Sequence, residues 1–133
     1  MSSWTAIVTC LALSLYIAQL ARVAQARRKY RIEAPATTGN PAFERIFRVQ
    51  ANTGEQLLLF LPGLWLFSFY LSGVWAAVIG LVWIAGRLAY AVGYEAEPRR
   101  RGLGFVTSMA ASVLLLGGSM IAILLRLIQQ AAG

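Results

Sequence analysis

Four long apolar runs separated by short polar connectors dominate the chain. They cover approximately Trp4–Ala21, Gln56–Ser72, Val74–Gly86 (continuing past Arg87 to Tyr94) and Leu103–Leu125. A helix crosses about 30 Å of hydrocarbon with roughly 20 apolar residues. The pattern therefore predicts an all-α fold, an integral membrane four-helix bundle, with helices at about 4–26, 43–72, 74–95 and 103–128 in a single membrane domain over residues 1–133. These helices use most of the chain and leave no room for a separate soluble domain. The Gly39-Asn40-Pro41 turn places the start of the second helix near Pro41 or Phe43. Pro62 sits where it would kink that helix's apolar half. Ala24-Gln25-Ala26 has the form of a leader cleavage site, but Met1-Ser2-Ser3 carries no positive charge and the run before it is long, so we read a retained helix.

Composition agrees with this picture: 59% of the residues are hydrophobic, more than a water-solvated surface of this size accommodates. Charge then adds an orientation. Twelve Lys/Arg against five Asp/Glu give +7, a balance that in a soluble chain would suggest nucleic acid. The positions argue otherwise. Arg22, Arg27, Arg28, Lys29, Arg31, Arg45 and Arg48 lie between helices one and two, and Arg99, Arg100 and Arg101 between helices three and four. With four spans these connectors share one side, leaving Arg126 as the single basic residue opposite. The positive-inside rule places the basic loops in the cytoplasm and both termini away from it. Topology and contact with anionic headgroups account for Arg22, Lys29, Arg99 and Arg100. The chain has no His, and Cys10 stands alone within the first apolar run. His-ligated zinc sites, Ser-His-Asp triads and intrachain disulfides are thereby excluded, and no metal is expected.

Some charges intrude on the spans. Arg48, Asn52 and Glu55 follow i, i+4, i+7 spacing and share one helix face, whereas Gln50 points nearly the other way. Arg87, Tyr90 and Tyr94 form a second stripe at i, i+3, i+7. Two bland explanations compete with a binding site: an interfacial aromatic belt for the tyrosines, and a structural Glu55–Arg87 or Glu55–Arg48 bridge. A pocket of arginines, one Glu, amides and phenols suits a small ligand with carboxylates for the guanidiniums and an ammonium for Glu55. Spacing and composition do not name that ligand.

The residues do resemble a known family. ARRKYRIEAPATTGNPAFERIFRVQANTGEQ at Ala26–Gln56 and GRLAYAVGYEAEPRRR at Gly86–Arg101 are similar to the membrane-associated proteins in eicosanoid and glutathione metabolism (MAPEG). Within them the ERxxRxQxNxxE pattern of Glu44–Glu55 and the RLxYxxGY pattern of Arg87–Tyr94 match independently and in register. The nearest branch holds the cysteinyl-leukotriene synthases and type-two microsomal glutathione transferases. The resemblance implies a homotrimer with glutathione held between neighbouring subunits near the cytosolic face. It implies that Arg48, Asn52, Glu55, Tyr90 and Tyr94 contact glutathione from one subunit and Arg27 and Gln50 from the next. Arg87 corresponds to a supporting arginine, Arg101 to the arginine that stabilises the thiolate, and Arg28 to a second arginine near the acceptor. Gln56 departs from the branch, standing where the leukotriene synthases have a ligand-contacting tyrosine, and Thr53-Gly54 also differs.

The implied chemistry is a membrane-bound glutathione transferase or peroxidase acting on lipophilic electrophiles or lipid hydroperoxides, with glutathione as co-substrate. A free thiol with a pKa near 8.5 is only a few per cent ionised at pH 7. A guanidinium that lowers this by about two units contributes about 2.7 kcal/mol. For Arg101 the competing explanation is a headgroup anchor within the Arg99–Arg101 triplet. A non-catalytic lipid- or glutathione-binding accessory protein on the same scaffold is the alternative from another class. A proton-coupled exporter is disfavoured, since Trp4–Ala21 carries no acid. The partners expected are a homotrimer, membrane lipid, glutathione and a hydrophobic electrophile, with no nucleic acid. The location expected is multi-pass in a bacterial inner membrane.

Overall fold

Three of the helices begin where a short polar side chain satisfies their first free amides. The Ser2 hydroxyl accepts from Thr5 N at 3.2 Å and opens α1 (Ser3–Tyr30). Asn40 Oδ1 accepts from Ala42 N and Phe43 N at 2.9 and 3.2 Å, and Pro41 fills the first position of α2 (Pro41–Tyr70). Ser72 accepts from Trp75 N at 3.3 Å and opens α3 (Gly73–Ala96). The fourth helix, α4 (Gly102–Ala132), has no capping side chain and grows out of a 3-10 turn at Pro98–Arg101. The apolar pattern does not predict that turn. These elements come from a computed structural model that describes residues 1–133.

The helices overrun the apolar runs at their basic ends. α1 continues beyond residue 26 to Tyr30, where Arg31 adopts a left-handed conformation (φ 54°) and closes the helix. α2 passes through Pro62 without interruption. α1, α3 and the Pro98–Ala132 segment are each long and apolar enough to cross a membrane. α2 is equally long at 30 residues, but Glu44, Arg45, Arg48 and Glu55 occupy its first half and confine its apolar part to Leu57–Tyr70. α2 therefore differs from the other three: its cytoplasm-predicted half is polar helix rather than loop.

The chain runs up, down, up and down, so both basic connectors lie at one end. At the other end Thr5 Oγ1 donates to Ser68 Oγ at 2.8 Å, tying α1 to the end of α2. The interior of this apolar half is filled by Val8, Ala12, Leu57, Phe60, Leu64, Trp83, Ala111 and Leu115. Phe60 and Trp83 stack with ring centroids 4.0 Å apart. Outward-facing positions are also apolar, among them Leu58, Phe69, Val92, Leu103 and Ile121. Such a surface suits hydrocarbon rather than water.

Backbone proximity between α3 and α4 sets the geometry of the basic end. A Cβ at Gly104 would come within 2.6 Å of Tyr90 Cα and 2.7 Å of Gly86 O. A Cβ at Gly86 would approach Ser108 N to 2.9 Å. Only glycine lets the two backbones meet here, the device that membrane helices use where hydrophobic driving force is weak. Gly104→Val is expected to wedge these helices apart at a cost of about 1–3 kcal/mol or more. Thermal unfolding in detergent should show the loss, and a variant as stable as the parent would contradict the backbone contact.

Candidate functional site

The site begins with a buried charge. Arg87 on α3 is fully inaccessible, and its Nη2 donates to Thr53 Oγ1 on α2 at 2.9 Å. Thr53 Oγ1 in turn donates to Val49 O one turn back at 3.0 Å, so the hydroxyl bridges guanidinium and helix. The guanidinium also lies over the Tyr90 ring, 4.2 Å from its centroid. Arg87 Nε and Nη1 have no hydrogen-bond partner within the chain. Of the two structural bridges weighed as alternatives to a binding site, Glu55–Arg87 is therefore not formed, whereas Glu55–Arg48 is, at 3.3 Å. A neutral hydroxyl and an aromatic face hold Arg87 instead.

Tyr90 carries this arrangement outward. It is buried, which does not fit an interfacial belt, and it stacks on Tyr94 at 5.5 Å with Phe105 of α4 tilted against it at 6.4 Å. The Arg101 guanidinium lies 5.9 Å from the Tyr94 centroid. Arg87, Tyr90, Tyr94 and Arg101 thus form a continuous cation–aromatic column from the interior to the basic end. Beside it opens a cleft of about 230 Å³ lined by Arg48, Asn52, Tyr90, Arg101 and Phe105.

On the α2 wall of the cleft, Arg48 Nη1 meets Glu55 Oε1 at 3.3 Å, and Asn52 Nδ2 donates to Glu55 Oε2 at 3.3 Å. The side chains of this ion pair are 50% and 57% exposed. Pairs so open to solvent contribute about 1 kcal/mol or less, so a ligand with its own carboxylate and ammonium can replace the contact. Asn52 is buried, and its Oδ1 has no donor within the chain. The cleft therefore offers two guanidiniums, one carboxylate, an amide and a phenol: it can hold a small zwitterionic anion by charge-assisted bonds.

Other predicted site residues lie elsewhere. Gln50 faces α1, its Nε2 donating to Tyr16 Oη at 2.8 Å. Arg27 packs over the Phe43 ring at 5.1 Å and donates to Ala36 O at 2.7 Å. Arg28 is exposed and lines a separate, open cavity of about 630 Å³ with Arg31 and Glu33. One chain thus brings Arg48, Asn52, Glu55, Arg87, Tyr90, Tyr94 and Arg101 together, and leaves Arg27, Arg28 and Gln50 outside the cleft. The assignment of Arg22 to topology and headgroups needs correction. Its guanidinium forks onto Glu95 with N–O distances of 2.8 and 2.5 Å, an interhelical ion pair that the charge distribution does not reveal. Sequence reasoning also misses Phe105, whose only signal is its place one turn after Arg101, and Thr53, which appears there merely as a departure from the family.

Comparison with known proteins bears on this arrangement. The MAPEG family model matches residues 5–121. An uncharacterised protein of Synechocystis sp. is 47% identical over 126 residues, covering 95% of this chain and 92% of that protein. Human microsomal glutathione S-transferase 2 is 42% identical over 94 residues, which are 71% of this chain and 64% of the transferase. Leukotriene C4 synthase of Cavia porcellus is 37% identical over 127 residues, 96% of this chain and 85% of the synthase. With its four-helix architecture, its apolar exterior and a family match along nearly its whole length, the chain is an integral membrane protein that belongs to the MAPEG family.

Proposed function

We propose that this protein is a membrane-bound glutathione transferase that ionises the glutathione thiol and delivers it to lipophilic electrophiles. The observation that carries the reading is the cleft itself, with Arg48 and Arg101 on its walls and the Tyr90 and Phe105 rings between them. Relatives named for glutathione transfer and for leukotriene C4 synthesis support it. Arg48 takes a glutathione carboxylate, Glu55 the γ-glutamyl ammonium, and Asn52 Oδ1 a donor from the peptide. Tyr90, propped by Arg87, and Tyr94 order the cysteinyl end. Arg101 stands beside the sulfur and favours the thiolate by charge attraction. The thiolate then attacks the acceptor carbon, forming an S–C bond while the leaving group departs with its electron pair. The same thiolate can reduce a lipid hydroperoxide, which makes peroxidase activity part of the proposal.

In this reading the working unit is a homotrimer. Arg27 and Gln50, which lie outside the cleft of their own chain, reach the glutathione of the adjacent subunit. Arg28 then stands near the acceptor. The basic loops and the site face the cytoplasm of a bacterial inner membrane, where aqueous glutathione meets an electrophile dissolved in the bilayer.

Two outcomes follow. Adding glutathione to the purified protein in detergent should generate thiolate absorbance about two pH units below the free thiol's midpoint near 8.5. Arg101→Ala should abolish most of that signal and, by the loss of thiolate, reduce turnover of an aryl halide by about 20-fold or more at pH 7. A thiolate signal surviving this substitution unchanged would refute the role of Arg101, and a protein that binds glutathione without conjugating the halide would instead be an accessory binder. For the carboxylate contact, Arg48→Leu should raise KM for glutathione by about 10-fold or more, since a charge-assisted bond is worth roughly 1.5–3 kcal/mol. Steady-state kinetics at saturating halide measures this, and an unchanged KM removes Arg48 from the binding scheme.

A further inference from the structure

The one ion pair that joins two helices lies outside the cleft. Arg22 on α1 and Glu95 in the last turn of α3 are 73 positions apart, yet their side chains meet fork to fork at 2.8 and 2.5 Å. The Glu95 side chain is only 18% exposed, so its carboxylate is partly shielded, unlike that of Glu55 at 57%, although the two arginines are equally open at 51% and 50%. Glu95 is also an unfavourable residue for its position. It sits at the carbonyl end of α3, where the helix dipole disfavours a carboxylate, and that last turn contains no basic residue. Arg22 supplies from another helix the compensation that α3 lacks.

The site grows directly from the segment that this pair holds. Tyr94 precedes Glu95, and its ring faces the Arg101 guanidinium. Between them the chain is tightly closed. Glu97 N bonds Gly93 O and Arg100 N bonds Glu97 O, both at 2.9 Å. A Cβ at Gly93 would fall 2.6 Å from Arg100 O, so the 3-10 turn packs on the helix backbone itself. Gly93–Arg101 is therefore one closely packed segment. α1 contributes no side chain to the cleft, and Arg22 is its charged link to that piece.

We infer that the Arg22–Glu95 pair is a positioning clamp, which sets where Tyr94 and Arg101 stand relative to the glutathione sulfur. The inference rests on the proposed role of Arg101. Guanidinium–thiolate attraction weakens with separation, so a released α3 end leaves glutathione bound but less ionised. The charged and titratable groups lining the cleft are Arg48, Tyr90 and Arg101, with Tyr94 under the Arg101 guanidinium, and neither clamp residue is among them.

The test uses full-length protein in detergent, comparing wild type with Arg22→Gln, Glu95→Gln and the double variant. Thiolate absorbance is titrated with pH, and aryl halide conjugation gives kcat and KM. Each single variant should move the thiol midpoint up by roughly 0.5–1 pH unit from about 6.5 and so lower kcat at pH 6 by about 2.5–8-fold. KM for glutathione should stay within about 2-fold, because the carboxylate and ammonium contacts are untouched. The double variant should be no worse than either single one, the signature of two residues acting through one contact. Should Arg22→Gln fail to fold, the near-isosteric Glu95→Gln carries the test alone. Wild-type titration in the folded variants, a change in KM only, or effects that add in the double variant would each overturn the clamp while leaving the glutathione reading intact. A wild-type protein without any thiolate signal would overturn both.

Discussion

A guanidinium buried among apolar helices is the constraint to which the basic half of the bundle is fitted. Arg87 has no access to solvent, and within the chain it has one hydrogen bond, to Thr53, and one aromatic face, from Tyr90. Removing a charge from water costs several kcal/mol unless polar partners surround it, so both contacts must persist. Thr53 can serve only if α2 presents that face to α3. Tyr90 can serve only if its ring stays flat against the guanidinium. The helix pairing and the tyrosine's rotamer are thereby fixed by one residue that lies outside the cleft.

The second requirement is close approach. Gly86 and Gly104 allow α3 and α4 to touch backbone to backbone beside Tyr90. That contact brings Phe105 against the Tyr90 ring and puts Arg101, just before α4, over Tyr94. Bulk is excluded at these glycines so that aromatic surface can be stacked one residue away. The opposite half of the molecule follows different rules: Phe60, Trp83 and their neighbours form an apolar filling with no charge. The bundle is therefore graded along its axis, with an uncharged, largely apolar interior at one end and a charged one at the other.

That gradient was largely legible in the sequence. Apolar runs and turn residues marked four helices, and the i, i+4, i+7 and i, i+3, i+7 spacings put Arg48, Asn52 and Glu55 on one stripe and Arg87, Tyr90 and Tyr94 on another. Periodicity reports which residues share a face of one helix. It carries no information on what a face meets across a gap. Hence spacing leaves Arg87 free to pair with Glu55, when Thr53 is its partner. Hence also the position of Arg22 in a basic stretch reads as a topology signal, although a carboxylate 73 residues away pairs with it. The 3-10 turn at Pro98–Arg101 is outside what apolar runs report: Pro98 at its first position is its one local signal, and its packing on Gly93 is a tertiary demand.

The two ion pairs near the site show how exposure separates binding from support. Arg48–Glu55 is long at 3.3 Å, half open to solvent, and joins residues of one helix, so little is lost when it parts. Such a pair is open to exchange with a ligand that carries both signs. Arg22–Glu95 is short, bidentate and partly covered, and it joins two helices. Parting it would strand a carboxylate at the carbonyl end of α3, so it resists exchange. On the glutathione reading, the same residue types thus serve opposite ends: the yielding pair receives the substrate, and the fixed pair keeps the thiolate arginine within reach of the sulfur.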